Sequence, residues 1–231
     1  IKMGENKENV HAVGCPRIDY VLSTLKEIKN GKHLNSKTLF EKYKGVGKTF
    51  DIKMKNFLLV SFHPVTTEYG SNKRHINEIL SALNKLKKNT ILIWPNADAG
   101  SDEISKAIRI FREKNDPDWL HLFINLPLKV YVQLMYQCSC LIGNSSSAIR
   151  EGEIIGVPAV NVGTRQNMRL MGNNIINCKP ERNNIYSSIA KQIKKGTYRT
   201  NYLYGKGNAG KNIAKIIEKN KIISTQKIIN Y

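Results

Sequence analysis

CSCLIGNSSSAIREGEIIGVPAVNVG, residues 138–163, decides the fold. It begins as an apolar run ending in Gly143 and Asn144. It then passes through Ser145, Ser146 and Ser147 into a stretch read as helix over 146–155, and returns as a second apolar run over 158–163. Two unbroken apolar runs joined through a helix imply parallel strands buried on both faces, because a strand with one wet face would alternate apolar and polar residues.

The same alternation extends outward in both directions. FLLVSFH (57–63), ILIWP (91–95) and HLFIN (121–125) are further apolar strand candidates. Between them, Ile76, Ile79, Leu80, Leu83 and Leu86 recur at helical spacing within 73–87. Ile104, Ala107, Ile108 and Phe111 do so within 102–114, and a helix over 128–137 follows Pro127. On the C-terminal side Cys178 follows another strand, and helices are expected over about 183–195 and 209–219. Strands alternating with helices, joined by right-handed crossovers, predict an α/β fold with a doubly wound parallel sheet of Rossmann-like type. The domain is placed at residues 56–220. Residues 1–55, with a helix over about 19–29, read as an N-terminal connecting segment, and 221–231 as a polar C-terminal tail. The chain opens on Ile1 rather than Met, so it is expected to begin partway through a longer protein.

Composition narrows the function classes. Of 231 residues, 41% are hydrophobic and 24% charged, and no apolar stretch approaches the ~20 residues needed to cross a bilayer. No secretory h-region is visible, and the four cysteines form no zinc-like double pair, so they read as small core residues in a reducing cytoplasm. The five histidines do not pair at ligand spacing, so no metal is expected. A net charge of +19 raises the question of nucleic acid. The lysines are scattered, however, and no aromatic residues interleave with them in an RNA-binding pattern, so a solvated basic face is favoured. A nicotinamide cofactor is not expected, because no dinucleotide glycine pattern follows the first strand; no cofactor of any kind is assigned.

In open parallel sheets ligands bind beyond the carboxyl ends of the strands. Polar residues gather there: His63 after the first strand, Asn96 and Asp98 after the second, Asn125 after the third, and Gly143 to Ser147 after the fourth. Serine hydroxyls and free amide N–H groups at a helix N-terminus form an anion site suited to phosphate. Glu151 lies too far along for a capping box and could accept hydrogen bonds from ribose hydroxyls. The plainer alternatives are a serine N-cap with a solvated Glu151, and a His63 that is merely hydrogen-bonded.

GCPRID (14–19), SFHPVTTE (61–68), PNADAGS (95–101), GNSSSAIRE (143–151) and GTRQNMR (163–169) together resemble the UDP-N-acetylglucosamine 2-epimerases, in particular the hydrolysing branch that releases N-acetylmannosamine. The resemblance spans about residues 14–178. It implies the C-terminal half of a two-domain fold like that of the B-type glycosyltransferases, with a UDP-sugar in the cleft. It places His63 against the diphosphate and reacting sugar as the catalytic residue, Asn96 on the nucleotide, and the Leu126 backbone on uracil. It also puts Ser145 and Ser146 on phosphate, Glu151 on the ribose, and Arg165 at the nucleotide. The implied reaction is anti elimination of UDP followed by hydration, with acid/base carboxylates on an N-terminal domain that this sequence lacks. Homo-oligomers are common in the family. Two alternatives stay open: a 2-epimerase for another UDP-sugar, such as a 2,4-diacetamido sugar, and a non-catalytic nucleotide-binding module.

Overall fold

A computed structural model describes residues 1–219. Its strands are β1 (Val46–Gly47), β2 (Leu58–Ser61), β3 (Thr90–Ile93), β4 (Leu120–Phe123), β5 (Cys140–Gly143), β6 (Ala159–Val162) and β7 (Ile175–Cys178). They form one sheet in the order β1-β4-β3-β2-β5-β6-β7. All neighbours are parallel except β1, which pairs antiparallel with β4 at the edge. The chain lays down β2, β3 and β4 outward in one direction, then returns to the middle and lays down β5, β6 and β7 in the other. That is the doubly wound Rossmann order, and its topological switch point falls between β2 and β5.

The helices are α1 (Pro16–Lys29), α2 (Ser36–Tyr43), α3 (Asn72–Leu86), α4 (Ser101–Asn115), α5 (Leu128–Gln137), α6 (Glu151–Ile155), α7 (Arg182–Lys195) and α8 (Ala209–Lys219). Successive strand residues point to opposite faces, so each continuous apolar run feeds two cores. Leu59, Ile91, Phe123, Leu141 and Ala159 pack with α1 and α5, through Ile18, Val21, Val130 and Leu134. Leu58, Val60, Leu92, Leu122, Ile142 and Val160 pack with α3, α4 and α7, through Ile76, Leu80, Ile104 and Ile189.

Helix α1 lies within the first 55 residues, yet Ile18 and Val21 are fully buried. Its Asp19 carboxylate accepts the amide hydrogens of Ala209 (3.2 Å) and Gly210 (2.8 Å), so α1 caps the start of α8. The Cys15 N–H donates to the Tyr204 carbonyl beside it at 2.8 Å.

Three features depart from the sequence expectation. Helix α2 and strand β1 come from the lysine- and glycine-containing connection, where no apolar period announces them. Cys138 caps the end of α5 instead of starting the strand, which begins at Cys140. The helix expected over 146–155 is regular only as α6, from Glu151 to Ile155. The Asn174 side-chain amide donates to the Ala148 carbonyl (3.2 Å), and the Gly152 N–H turns to Ser147 O at 2.7 Å. An inserted side chain of this kind breaks the regular ladder, so the serines lead into a run of turns and Glu151 opens the helix. The polar tail expected at 221–231 lies outside the described residues.

At the end of β5, Gly143 has φ +133°, and a Cβ there would stand 2.1 Å from the Ser61 carbonyl oxygen on β2. Gly143→Ala therefore forces the two central strands apart in addition to imposing a strained backbone. It should lower the unfolding free energy in urea by at least about 3 kcal/mol. A loss under about 1 kcal/mol would show that the approach is relaxed in solution.

Candidate active site

A cleft of about 300 Å³ opens at the carboxyl ends of the central strands, lined among others by Arg17, Ser61, His63, Asn96, Leu126, Tyr131, Ser145, Ser146, Ser147, Arg150 and Glu151. A larger hollow of about 620 Å³ lies on the outer surface beside α3 and α4, lined by Lys73, Lys85 and Lys114. The smaller cleft is the better candidate because it sits at the switch point, where backbone amides from two diverging crossovers converge.

Asn144 organises this point. It is fully buried; its side-chain oxygen accepts the His63 N–H at 2.7 Å and its side-chain amide donates to the His63 carbonyl at 2.8 Å. The Asn144 carbonyl accepts Gln166 Nε2 at 2.7 Å and Arg165 Nη1 at 3.2 Å. One buried residue, through its side-chain amide and its backbone carbonyl, thus joins the ends of β2 and β5 to the loop after β6. Thr164 of that loop also donates to the Glu68 carboxylate after β2.

His63 is buried. Its Nδ1 accepts the Asn96 backbone N–H at 3.2 Å, so in the neutral ring the proton sits on Nε2, which faces Ser61 Oγ at 3.2 Å. Burial, followed by the nearby Arg165 guanidinium, pulls its pKa down to about 4. At neutral pH His63 is an uncharged hydrogen-bond donor, not a source of positive charge.

The three serines divide their work. Ser147 is buried and takes part in a chain in which its Oγ lies 2.9 Å from both Tyr131 Oη and Ser145 Oγ. Burial pushes the Tyr131 hydroxyl up to about 12, so it stays protonated in this chain. Ser145 and Ser146 are half-buried and line the cleft. Among the described residues their backbone N–H groups have no acceptor, and Ser146 Oγ receives only a long contact from Arg150 Nη2 at 3.4 Å. Two unclaimed amides beside a guanidinium make a cradle for an anion.

Glu151 is 1% exposed. Its Oε1 lies 2.6 Å from Arg17 Nε and 3.7 Å from Arg150 Nη2, yet neither carboxylate oxygen has an aligned hydrogen-bond donor. A buried carboxylate at a cleft wall, with acceptor capacity that no donor among the described residues uses, suits a ligand with hydroxyl groups.

His63, Asn96, Leu126, Ser145, Ser146 and Glu151, all expected from the sequence, line this one cleft. Arg165 is held on the Asn144 carbonyl and is not one of the residues that line the cleft. Sequence reasoning missed Arg17, Arg150, Tyr131, Ser61 and Asn144. Arg17, Ser61, Asn144 and Arg150 all stand inside the motif stretches quoted above without a role assigned to them, whereas Tyr131 lies outside every motif; Arg17 reaches the cleft through the packing of α1. Among the described residues no group of three or more His, Cys, Asp or Glu side chains could hold a metal, and no helix is long and apolar enough to cross a membrane.

The family model for UDP-N-acetylglucosamine 2-epimerase matches residues 1–218. The chain belongs to the UDP-N-acetylglucosamine 2-epimerase family. It is 28% identical over 209 residues to the UDP-N-acetylglucosamine 2-epimerase of Neisseria meningitidis, covering 90% of this chain and 50% of that protein. It is 32% identical over 178 residues to the GDP/UDP-N,N'-diacetylbacillosamine 2-epimerase (hydrolyzing) of Campylobacter jejuni, covering 76% and 42%. The fold is similar to that of Methanocaldococcus jannaschii UDP-GlcNAc 2-epimerase, solved with UDP-GlcNAc and UDP. There the TM-score is 0.68 at 15% identity, over 94% of this chain and 57% of that one. The chain thus spans about half the length of the curated relatives it matches.

The His63 geometry sets a pH dependence. An unfolded histidine takes up its proton near pH 6.5, whereas folded His63 does so only at about 4. The unfolded state therefore gains protons first as the pH falls. Stability is intact above about pH 6.5 and declines on the way to about 4, by on the order of 3 kcal/mol from this residue. His75 and His121 are also held down by burial and share the trend. Urea unfolding at pH 7 and pH 4.5 should show a smaller acid loss for His63→Gln than for the wild type, and equal losses would contradict the assignment.

Proposed function

We propose that this chain is the UDP-sugar-binding half of a hydrolysing UDP-N-acetylglucosamine 2-epimerase, which converts UDP-N-acetylglucosamine and water to N-acetylmannosamine and UDP. The observation that carries the reading is one cleft holding both the free Ser145 and Ser146 amides and the buried Glu151 carboxylate. A nucleoside diphosphate needs both: anion donors for its phosphates, and an acceptor for its ribose hydroxyls. Asn96 and the Leu126 backbone face the nucleotide base side of the cleft in this reading, and Arg165 braces the serine loop.

The reaction is anti elimination of UDP followed by addition of water with inversion at C2. The cleft supplies leaving-group stabilisation. The Ser145 and Ser146 amides and the guanidinium of Arg150 meet the charge that develops on the departing diphosphate. Neutral His63 adds its Nε2–H and no cationic acid. Proton removal from the sugar requires a carboxylate base, which this reading assigns to a second lobe. Exposed apolar side chains stand after the carboxyl ends of the strands, Ile124 after β4 and Met168 and Leu170 in the loop after β6. A cytoplasmic location and homo-oligomeric assembly belong to the same proposal.

The similarity to the Campylobacter jejuni relative supports a second reading, in which the sugar is a 2,4-diacetamido derivative and the nucleotide contacts are unchanged.

Titration calorimetry with UDP tests the site. The wild type should bind weakly, and Ser146→Ala and Glu151→Ala should each reduce affinity by about tenfold or more. RNA binding that weakens with salt, without UDP affinity, would replace this reading with a nucleic-acid one. Incubated with UDP-N-acetylglucosamine, residues 1–231 alone should release no N-acetylmannosamine; clear turnover would refute the assignment of the base to a second lobe.

A further inference from the structure

We infer that Arg17, on the first turn of α1, is the positioning residue that holds Glu151 ready for the ribose and thereby sets the preference for a ribonucleotide. The inference rests on the uridine diphosphate reading of the cleft. Glu151 sits at 1% side-chain exposure, where a lone carboxylate would be strongly penalised by loss of water. Two cations stand near it. Arg17 Nε is 2.6 Å from Oε1 and Arg150 Nη2 is 3.7 Å away. Arg150 is already turned to Ser146 Oγ, and the shorter pair is with Arg17. Arg17 therefore supplies most of the compensation.

The geometry of the pair matters as much as its charge. Arg17 Nε is close to Oε1 without the alignment of a hydrogen bond, and Oε2 has no partner. The guanidinium thus balances the negative charge, while both carboxylate oxygens keep acceptor capacity that no donor among the described residues uses. What remains is unused acceptor capacity for incoming hydroxyl donors, and a nucleotide lacking one ribose hydroxyl leaves part of it unfilled. Arg17 itself is anchored from outside the cleft. Ile18 beside it is fully buried, and Asp19 caps α8, so the first turn of α1 is fixed on both sides.

The test compares UDP with 2'-deoxyuridine diphosphate by calorimetry on residues 1–231, with circular dichroism as the check on folding. The wild type should favour UDP by about tenfold, the effect of one hydrogen bond to a charged acceptor. Arg17→Ala should weaken UDP by about that factor and the deoxy nucleotide by less than about threefold, so that the preference collapses. Arg17→Lys should restore most of it. In a Glu151→Gln background, where no buried charge needs a partner, Arg17→Ala should change neither affinity; this pair keeps the comparison open should Arg17→Ala alone fail to fold. Equal weakening of both nucleotides, or an unchanged preference in Arg17→Ala, would overturn the inference and leave the nucleotide site standing. A wild-type chain without UDP affinity would overturn the functional reading, and the inference with it.

Discussion

The architecture of the cleft depends on how closely β2 and β5 approach at their carboxyl ends. Gly143 lacks the Cβ that would strike the Ser61 carbonyl, and Asn144 uses that proximity to bond both the N–H and the carbonyl of His63. A buried side-chain amide offers two donors and an acceptor in a rigid plane, so satisfying it fully fixes the relative position of everything it touches. Here the side chain fixes the histidine, while the backbone carbonyl of the same residue accepts Arg165 and Gln166 from the loop after β6. The switch point is where two crossovers leave in opposite directions, and the Asn144 bonds turn that divergence into a shaped cavity.

Charge in the cleft is arranged by burial and short contacts. His63 is held neutral, because an amide N–H occupies one ring nitrogen and desolvation disfavours the cation. Positive charge comes from arginines, which keep it regardless of surroundings. Arg17 and Arg150 flank one buried carboxylate, leaving the cleft with an excess of cations over Glu151. The formal charge of +19 says little about this arrangement, since the lysines that dominate it stand elsewhere on the surface. Local pairing, within a few ångströms and partly out of water, outweighs a scattered surface charge screened over a Debye length of about 8 Å.

Legibility differed between elements for identifiable reasons. Parallel strands β2 to β6 are continuous apolar runs, and α3 and α4 carry a clear 3.6-residue period, because both bury a face against the sheet and must display it in sequence. Strand β1 holds only Val46 and Gly47 and draws its pairing from β4, so no local pattern marks it. The helical pattern over 146–155 extends beyond the regular helix because the side chain that interrupts it, Asn174, is distant in sequence. In the site, residues at strand ends were readable from the rule that places ligands there. Ser147 could not be separated from Ser145 and Ser146, since only its bond to Tyr131 turns it inward.

By itself the sequence determined the alternation of strands and helices, the doubly wound class, and the gathering of His63, Asn96 and the serine loop on one edge. These follow from periods and turn residues that act over a few positions. Tertiary structure alone decided the protonation state of His63, the pairing of Arg17 with Glu151, and the kink that makes Glu151 the first residue of its helix. Each of these depends on a partner far away along the chain: Asn144 and Asn96 for the histidine, α1 for Glu151, and Asn174 for the kink. Burial and hydrogen-bond geometry exist only once the sheet has brought those partners together, and they convert a row of plausible polar residues into a site with definite charges.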